Sequence, residues 1–255
     1  MTPADIDVLI LTFNEEPNLR RTLDALKWAR SVLVVDSGSM DGTLAIIADY
    51  PTVRVLTRGF DSFAEQCNFG LQHLSAPWIL SLDADHVLSP ELTAEVAALE
   101  PGEHAAFEAP FCYVVHGRAL RASLLPPRPV LFRRGRAHYV DDGHAHRLVV
   151  NGRTGALKGT IAHDDRKPLR RWFHSQAGYA EREAEKLLAL AQPTRLSERI
   201  RLIPGLAPPA AFIYTLLIRA TLLDGWRGWF YALQRALAEI MILLALMDLK
   251  AQRGK

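Results

Sequence analysis

Two aspartates one residue apart, Asp83 and Asp85, lie in the stretch Ser81-Leu82-Asp83-Ala84-Asp85-His86. An apolar run, Trp78-Ile79-Leu80, precedes them, and Ser89-Pro90-Glu91 follows with the composition of a helix start. The pattern predicts a short buried strand carrying both carboxylates at its exposed C-terminal end. Residues two apart on a strand share a face, so the pair can converge on one ligand. Carboxylates so placed suit a hard divalent cation, Mg²⁺ or Mn²⁺, held together with the phosphates of a substrate. A cation there would neutralise charge developing on a departing diphosphate. An isolated Asp-x-Asp is common, so the surrounding elements decide its meaning.

Those elements alternate. Val8-Leu9-Ile10-Leu11 is a continuous apolar run, suited to a parallel strand buried on both faces. It opens into Thr12-Phe13-Asn14-Glu15-Glu16-Pro17, where Asn14 is a candidate helix cap and Pro17 fits an early helical position; Leu19, Leu23 and Leu26 then recur at helical spacing. Val32-Leu33-Val34-Val35 delivers Asp36 into the small, flexible Ser37-Gly38-Ser39-Met40-Asp41-Gly42-Thr43. A helix through Ile46 and Ile47, a strand at Val53–Leu56 and a helix with Phe63, Cys67, Leu71 and Leu74 on one face precede the Asp83 strand. Strand–helix alternation predicts a parallel sheet with helices on both faces, and right-handed crossovers put every strand's C-terminal end along one edge. Ligands of such sheets bind outside that edge. Asn14, Asp36, Arg58 and Asp83 all fall there.

From Ala105 to His163 the texture changes to short segments such as Phe111–Val115 and Leu148–Val150, expected as antiparallel strands in a region rich in Arg and His. Beyond Pro168 the pattern is helical. Residues 202–218 carry no charge, but Pro204, Pro208 and Pro209 leave only Pro209–Ile218 as clean helix, too short to cross a bilayer. The last helix bears Trp229, Leu233, Leu237, Ile240, Leu244 and Met247 on one stripe, with Arg227, Arg235 and Lys250 available to anionic headgroups. Such a stripe either lies in a membrane interface, the favoured reading, or packs in a helical bundle or homo-oligomer. The domain reading is therefore 1–165 as a catalytic domain and 166–255 as a helical region.

The 255 residues suffice for one full core with an appendage. A hydrophobic content of 49% with 23% charged residues is that of a folded protein, and a net charge of +2 gives no reason to expect a nucleic-acid partner. Two cysteines in apolar surroundings, Cys67 and Cys112, fit a reduced, cytoplasmic compartment, and no secretory leader is expected from the first residues. No Gly-x-Gly-x-x-Gly follows the first strand, and there is no P-loop or Gly-x-Ser-x-Gly elbow.

Leu11–Glu16, Val35–Thr43, Leu82–Asp85 and Phe60–Asn68, in that order, resemble family 2 glycosyltransferases of the GT-A fold, most closely a bacterial subgroup that includes lipopolysaccharide core glucosyltransferases. Leu222-Leu223-Asp224-Gly225 and Gly228 resemble the C-terminal region of that subgroup. The resemblance implies an α/β, Rossmann-like mixed sheet with a C-terminal α-helical region. It implies inverting transfer of a sugar from a nucleotide-sugar, a UDP-sugar by preference, to a glycolipid or polysaccharide of the bacterial envelope. It places such an enzyme on the inner face of the cytoplasmic membrane. By position, Thr12, Asn14 and Glu15 would line the nucleotide pocket. Asp36 would accept a hydrogen bond from the base, and Arg58 would lie near base or phosphates. Asp83 would face the ribose or donor sugar, Asp85 would bind the metal, and His163 would complete the site. Arg170, Arg171 and Tyr179 resemble positions that bind diphosphate or acceptor.

Inverting transfer needs a base for the acceptor hydroxyl, and Asp141 and Asp142 are the candidates, with desolvation by acceptor expected to raise the carboxyl pKa. Two departures stand out. The subgroup carries Glu where this chain has His86, and a His-Glu pair where it has His146-Arg147. They keep a degenerate nucleotide-sugar-binding protein open as a rival reading. A nucleotidyltransferase is the other rival, though Thr-Phe-Asn-Glu-Glu lacks the Gly-rich basic loop of such enzymes. His144 and His146 offer two zinc ligands without a third in pattern.

Overall fold

The computed structural model describes residues 1–122, 124–142 and 145–253. The chain divides into two compact units, one of residues 1–119, 125–141 and 146–166, the other of 120–124, 142–145 and 167–255.

The first unit is built on a seven-stranded sheet. Its parallel core joins β1 (Ile6–Thr12), β2 (Ser31–Asp36), β3 (Val53–Thr57) and β4 (Trp78–Asp83) in the order β4-β1-β2-β3. The intervening helices are α1 (Leu19–Asp24), α2 (Thr43–Ala48) and α3 (Phe63–Gln72). After β4 come β5 (His86–Leu88), α4 (Pro90–Ala98), β6 (Ala106–Ala109), β7 (Phe111–Val115), β8 (Arg118–Ala119) and β9 (Arg128–Arg133). β10 (Ala137–Asp142), β11 (Ala145–Val150), β12 (Thr154–Ala156) and β13 (Ile161–His163) complete the strands. β9 pairs antiparallel with β4 and β6, and β12 closes the sheet parallel to β6. A second sheet runs β5-β13-β7-β8, and β10 pairs with β11. The sheet is therefore mixed. Residues 105–163 hold parallel pairs, β6–β12 and β7–β13, where antiparallel strands alone were expected.

Period-two alternation sorts the core onto the two faces. Ile6, Val8 and Ile10 of β1 join Leu19, Leu23, Ile46 and Leu92 of α1, α2 and α4. Leu9 points the other way and joins Leu33, Val35, Ala64 and Cys67 against α3. The register then lines up the strand ends: Thr12 stands beside Asp36, Asp36 beside Thr57, and Leu11 beside Asp83.

Three local expectations change. Asn14 is not a helix cap: it takes φ +55°, and α1 begins five residues later, after Asn18. Leu74 lies beyond the end of α3, though it still packs in that core. The strand at Asp83 stops there. Ala84 and Asp85 form a turn, so the two carboxylates converge through a reversal of the chain into β5 and not through strand periodicity.

The second unit contains α5 (Leu169–Ala189), α6 (Leu196–Leu202), α7 (Ala207–Ile213) and α8 (Trp226–Arg253). α7 starts ahead of the expected Pro209, with Pro208 and Pro209 in its first turn, and runs into a single π turn at Tyr214–Ile218. Ala180, Ala184 and Leu187 of α5 pack on Ile242 and Leu246 of α8. Among these apolar contacts Arg201 bonds Glu183 at 2.8 Å and takes both oxygens of Glu239 at 2.7 and 2.8 Å.

The approach to β13 depends on close backbone contact. Glu95 of α4 accepts from the backbone N–H groups of Lys158 and Gly159, and a Cβ on Gly159 would lie 2.4 Å from the Leu92 Cα. Backbone cannot rotate away as a side chain can, so Gly159→Ala is expected to cost about 1–3 kcal/mol of unfolding free energy in urea titration. A change within about 0.5 kcal/mol, typical of an unconstrained surface position, would show that the strap tolerates displacement.

Candidate active site

The loops after β1 and β2 are laced together. Asp36 is fully buried at the end of β2, and its carboxylate accepts from Thr12 Oγ1 (2.7 Å), Gly38 N (2.9 Å), Ser39 N (2.8 Å) and Ser39 Oγ (2.6 Å). Asn14 donates its backbone N–H to Ser39 Oγ and accepts from Met40 N through Oδ1, both at 2.8 Å. Its left-handed backbone is one that Asn adopts more readily than most residues. Glu15 N bonds Thr43 Oγ1 at 2.7 Å, and Gly42 N returns a bond to Glu16 at 3.0 Å. Thr12, Asn14 and Asp36 thus form one network, and Glu15 ties the same two loops separately through Thr43. Both Asp36 oxygens are engaged, so contact with a base there requires the Ser39 hydroxyl to turn away.

Arg58 extends this network at the end of β3. Its guanidinium bonds Gln66 Oε1 and Asp61 at 2.6 Å each and lies over the Phe69 ring. Gln66, fully buried, donates in turn to Ser37 Oγ and the Arg58 carbonyl. Arg58 is therefore fixed against α3. Gln66 and Ser39 were passed over as individual site residues in the sequence. Their signal was a buried amide on an otherwise apolar helix face and a second serine in Ser37-Gly38-Ser39.

Asp83, Asp85 and His86 bring potential ligand atoms within 4.8 Å of one another. Asp83 is half exposed at the strand end, whereas Asp85 is mostly covered. Thr22 of α1 holds the turn through the Ala84 carbonyl at 2.7 Å. β13 pairs with β5 so that His163 stands directly beside His86. His163 Nε2 lies 3.1 Å from Asp85 Oδ2, and its ring stacks on Tyr113. Burial opposes the positive charge on His163, but Asp85 outweighs it and lifts the imidazolium pKa to about 9. Burial pushes the His86 imidazolium the other way, below its ordinary value. Two acidic oxygens beside buried histidine nitrogens fit a divalent cation, and the neighbouring loops carry backbone and hydroxyl donors of the kind phosphates use.

The two candidate bases separate. Asp141 is exposed in the first unit, its Oδ1 3.4 Å from Ala64 N in the first turn of α3. Asp142 belongs to the second unit, where Lys186 (2.6 Å) and Arg195 (3.3 Å) flank it. Its carboxyl pKa is lowered, chiefly by the Lys186 hydrogen bond, and not raised as desolvation alone would have done. Arg170, Arg171 and Tyr179 are also in the second unit, on α5, and Arg182 lies over the Tyr179 ring. His144 falls outside the described residues, and the His146 ring sits against Phe63 and Tyr139.

Residues 7–144, more than half of the chain, match the model of glycosyl transferase family 2, and the chain belongs to that family. Its fold is of the GT-A type. Among curated proteins it is 32% identical over 91 residues to the lipopolysaccharide core biosynthesis glycosyltransferase LpsC of Rhizobium meliloti, covering 34% of each chain. It is 36% identical over 92 residues to an uncharacterized glycosyltransferase of Rickettsia bellii, covering 36% of this chain and 31% of that one. The matched region thus spans about a third of the length of these relatives. Among solved structures, the mannosyltransferase PcManGT of Pyrobaculum calidifontis, in complex with GDP-Man and Mn²⁺, aligns with a TM-score of 0.53 at 17% identity. That alignment covers 95% of this chain and 88% of that one. Residues 1–349 of TarS from S. aureus align with a TM-score of 0.50 at 14% identity, covering 100% and 92%.

A lowered carboxyl pKa contributes stability that is present above the unfolded-state value and is lost as pH falls through the folded one. The Asp142–Lys186 pair is therefore expected to stabilise the protein at neutral pH and to lose that contribution progressively as pH falls below about 4 and through the lowered folded-state value. Asp142→Asn should be less stable than the wild type at pH 7, with the gap narrowing in denaturant titrations as pH falls below about 4. A gap that stays constant across that range would detach Asp142 from the effect.

Proposed function

We propose that this chain transfers a sugar from a UDP-sugar, with inversion, to a glycolipid or polysaccharide acceptor of the bacterial envelope, as in lipopolysaccharide core synthesis. The observation carrying the proposal is the Asp83–Asp85 pair at the C-terminal edge of the parallel strands, beside the interlocked loops after β1 and β2. The similarity to LpsC supports the acceptor class.

In this reading Asp85, with His163 and Asp83, would hold Mn²⁺ or Mg²⁺, which would supply positive charge against the departing diphosphate. Thr12, Asn14 and Glu15 shape the nucleotide pocket, with Asp36 fixing the loop that meets the base and Arg58 at its far side. Asp83, the more exposed carboxylate, faces ribose or sugar. Asp141 is the stronger candidate for the base, since Asp142 is already held by two cations. General-base loss typically costs about 10²–10⁴-fold in rate, so Asp141→Asn should show that drop in UDP release with Asp142→Asn less affected.

Donor binding should raise the melting temperature of the wild type in the presence of Mn²⁺, through ligand linkage, and Asp85→Ala should abolish both that shift and turnover. Full turnover by Asp85→Ala at saturating metal would refute the mechanism. A bound donor that is never consumed would make the protein a sugar-nucleotide binder instead.

The proposed location is the cytoplasmic face of the membrane, held peripherally. Of the 22 exposed large hydrophobic side chains among the described residues, 17 lie in residues 167–255. Those 89 residues carry fourteen Lys and Arg against seven Asp and Glu, a net +7, whereas residues 1–166 sum to −5. α8 is apolar on two sides: Ile242 and Leu246 face α5, while Trp226, Trp229, Leu233, Ile240, Leu244 and Met247 are exposed. By length and composition α8 is able to cross a membrane, with a mean hydropathy of 1.6 over its apolar window. Glu239, midway along it and paired with Arg201, favours lying in the interface over spanning. The wild type should therefore sediment with phosphatidylglycerol vesicles at low salt and be released by carbonate. Combined Trp226→Ser, Trp229→Ser and Leu233→Ser should abolish sedimentation. Failure to bind such vesicles at low salt would remove the membrane from the proposal, and concentration-dependent self-association would reassign the stripe to an oligomer.

A further inference from the structure

His86 replaces the Glu expected after the Asp-x-Asp, and its surroundings define what it does. The ring is 97% buried at the start of β5, against Phe111 and His163. Its Nδ1 accepts the backbone N–H of Asp83 at 3.0 Å. A ring nitrogen that accepts carries no proton, so a neutral imidazole held this way has its single proton on Nε2. That nitrogen is buried without a hydrogen-bond partner, 3.4 Å from Asp83 Oδ2 and 3.9 Å from Asp85 Oδ1.

Proximity alone would make His86 a third metal ligand. Ligation through Nε2 requires its lone pair, which moves the proton to Nδ1. There it would face the Asp83 N–H, donor against donor. Turning the ring over offers a C–H to that N–H and leaves a buried backbone donor unsatisfied. Both routes are closed by one backbone hydrogen bond.

We propose that His86 is a positioning residue of the metal site and not one of its ligands. Nδ1 pins the end of β4 and leaves Nε2–H, 3.4 Å from Asp83 and 3.9 Å from Asp85 and bonded to neither, as the neutral donor available to both carboxylates when they turn onto a cation. The proposal rests on the metal-dependent donor site described above, and assigns the protein ligands to Asp83, Asp85 and His163.

Mn²⁺ with UDP is the probe, read by pulsed EPR for directly coordinated nitrogen and by titration for affinity. The His163→Gln variant should show no coordinated imidazole nitrogen; a nitrogen signal in that variant would place His86 on the metal and overturn the proposal. His86→Gln, whose amide N–H can take the place of Nε2–H, should bind Mn²⁺ within about threefold of the wild type. His86→Leu, similar in size and without a donor, should bind about tenfold or more weakly, the usual scale for losing such a supporting group. Wild-type affinity in His86→Leu would overturn the proposal, as would equal losses in Leu and Gln, which would mark a packing role. Should His86→Leu fail to fold, the nitrogen signal of His163→Gln still decides. No Mn²⁺ binding by the wild type would instead defeat the metal-site reading on which the proposal rests.

Discussion

A carboxylate with no exposed surface sits where the first two strands end. Asp36 draws in Thr12 from β1 and the backbone of Gly38 and Ser39, and so decides the path of both loops at the sheet edge. Burying a charge without partners is costly, and four donors offset that cost here. Once Ser39 is fixed, its hydroxyl and the neighbouring Met40 N–H hold Asn14 in a left-handed conformation, and that bend sends the chain toward α1. The loop side of the candidate site is thus a product of one buried ion with its hydrogen bonds satisfied.

The acidic side of the candidate site is built differently. Asp83 and Asp85 meet because the chain reverses at Ala84, with Thr22 holding the turn from α1 and β13 supplying His163. No repeat or periodicity brings these groups together; strand pairing does, between segments distant in sequence. That is why Asp83 and Asp85 were recognisable from spacing and context while the geometry joining them was not.

Legibility followed the range of the interaction. Continuous apolar runs marked β1, β2 and β4, because burial on both faces of a parallel sheet demands them. Ser89-Pro90-Glu91 marked the start of α4, where Ser89 does cap the helix. The Asn14 cap was misread because an Asn before a Leu-rich helix carries the same signature whether it caps that helix or bends the loop before it. The pairings of β6 with β12 and β7 with β13 were hidden because short strands carry no mark of their partner's direction. The partners of Asp142 were hidden for a related reason: Lys186 and Arg195 lie more than forty residues away, and only folding sets them beside it.

The pairing of β13 with β5 has a kinetic side. The short connections among β1, β2 and β3 allow the parallel core to form from near neighbours, whereas His163 must find His86 across a loop of more than seventy residues. Closing such a loop is entropically costly, and contacts of that range form late. The sheet is therefore able to be complete while the candidate site is not. A chain stalled before β13 docks would keep most of its secondary structure and the loops after β1 and β2, yet lack the histidine beside Asp85. Assembly in that order, during synthesis or refolding, would end at the candidate site.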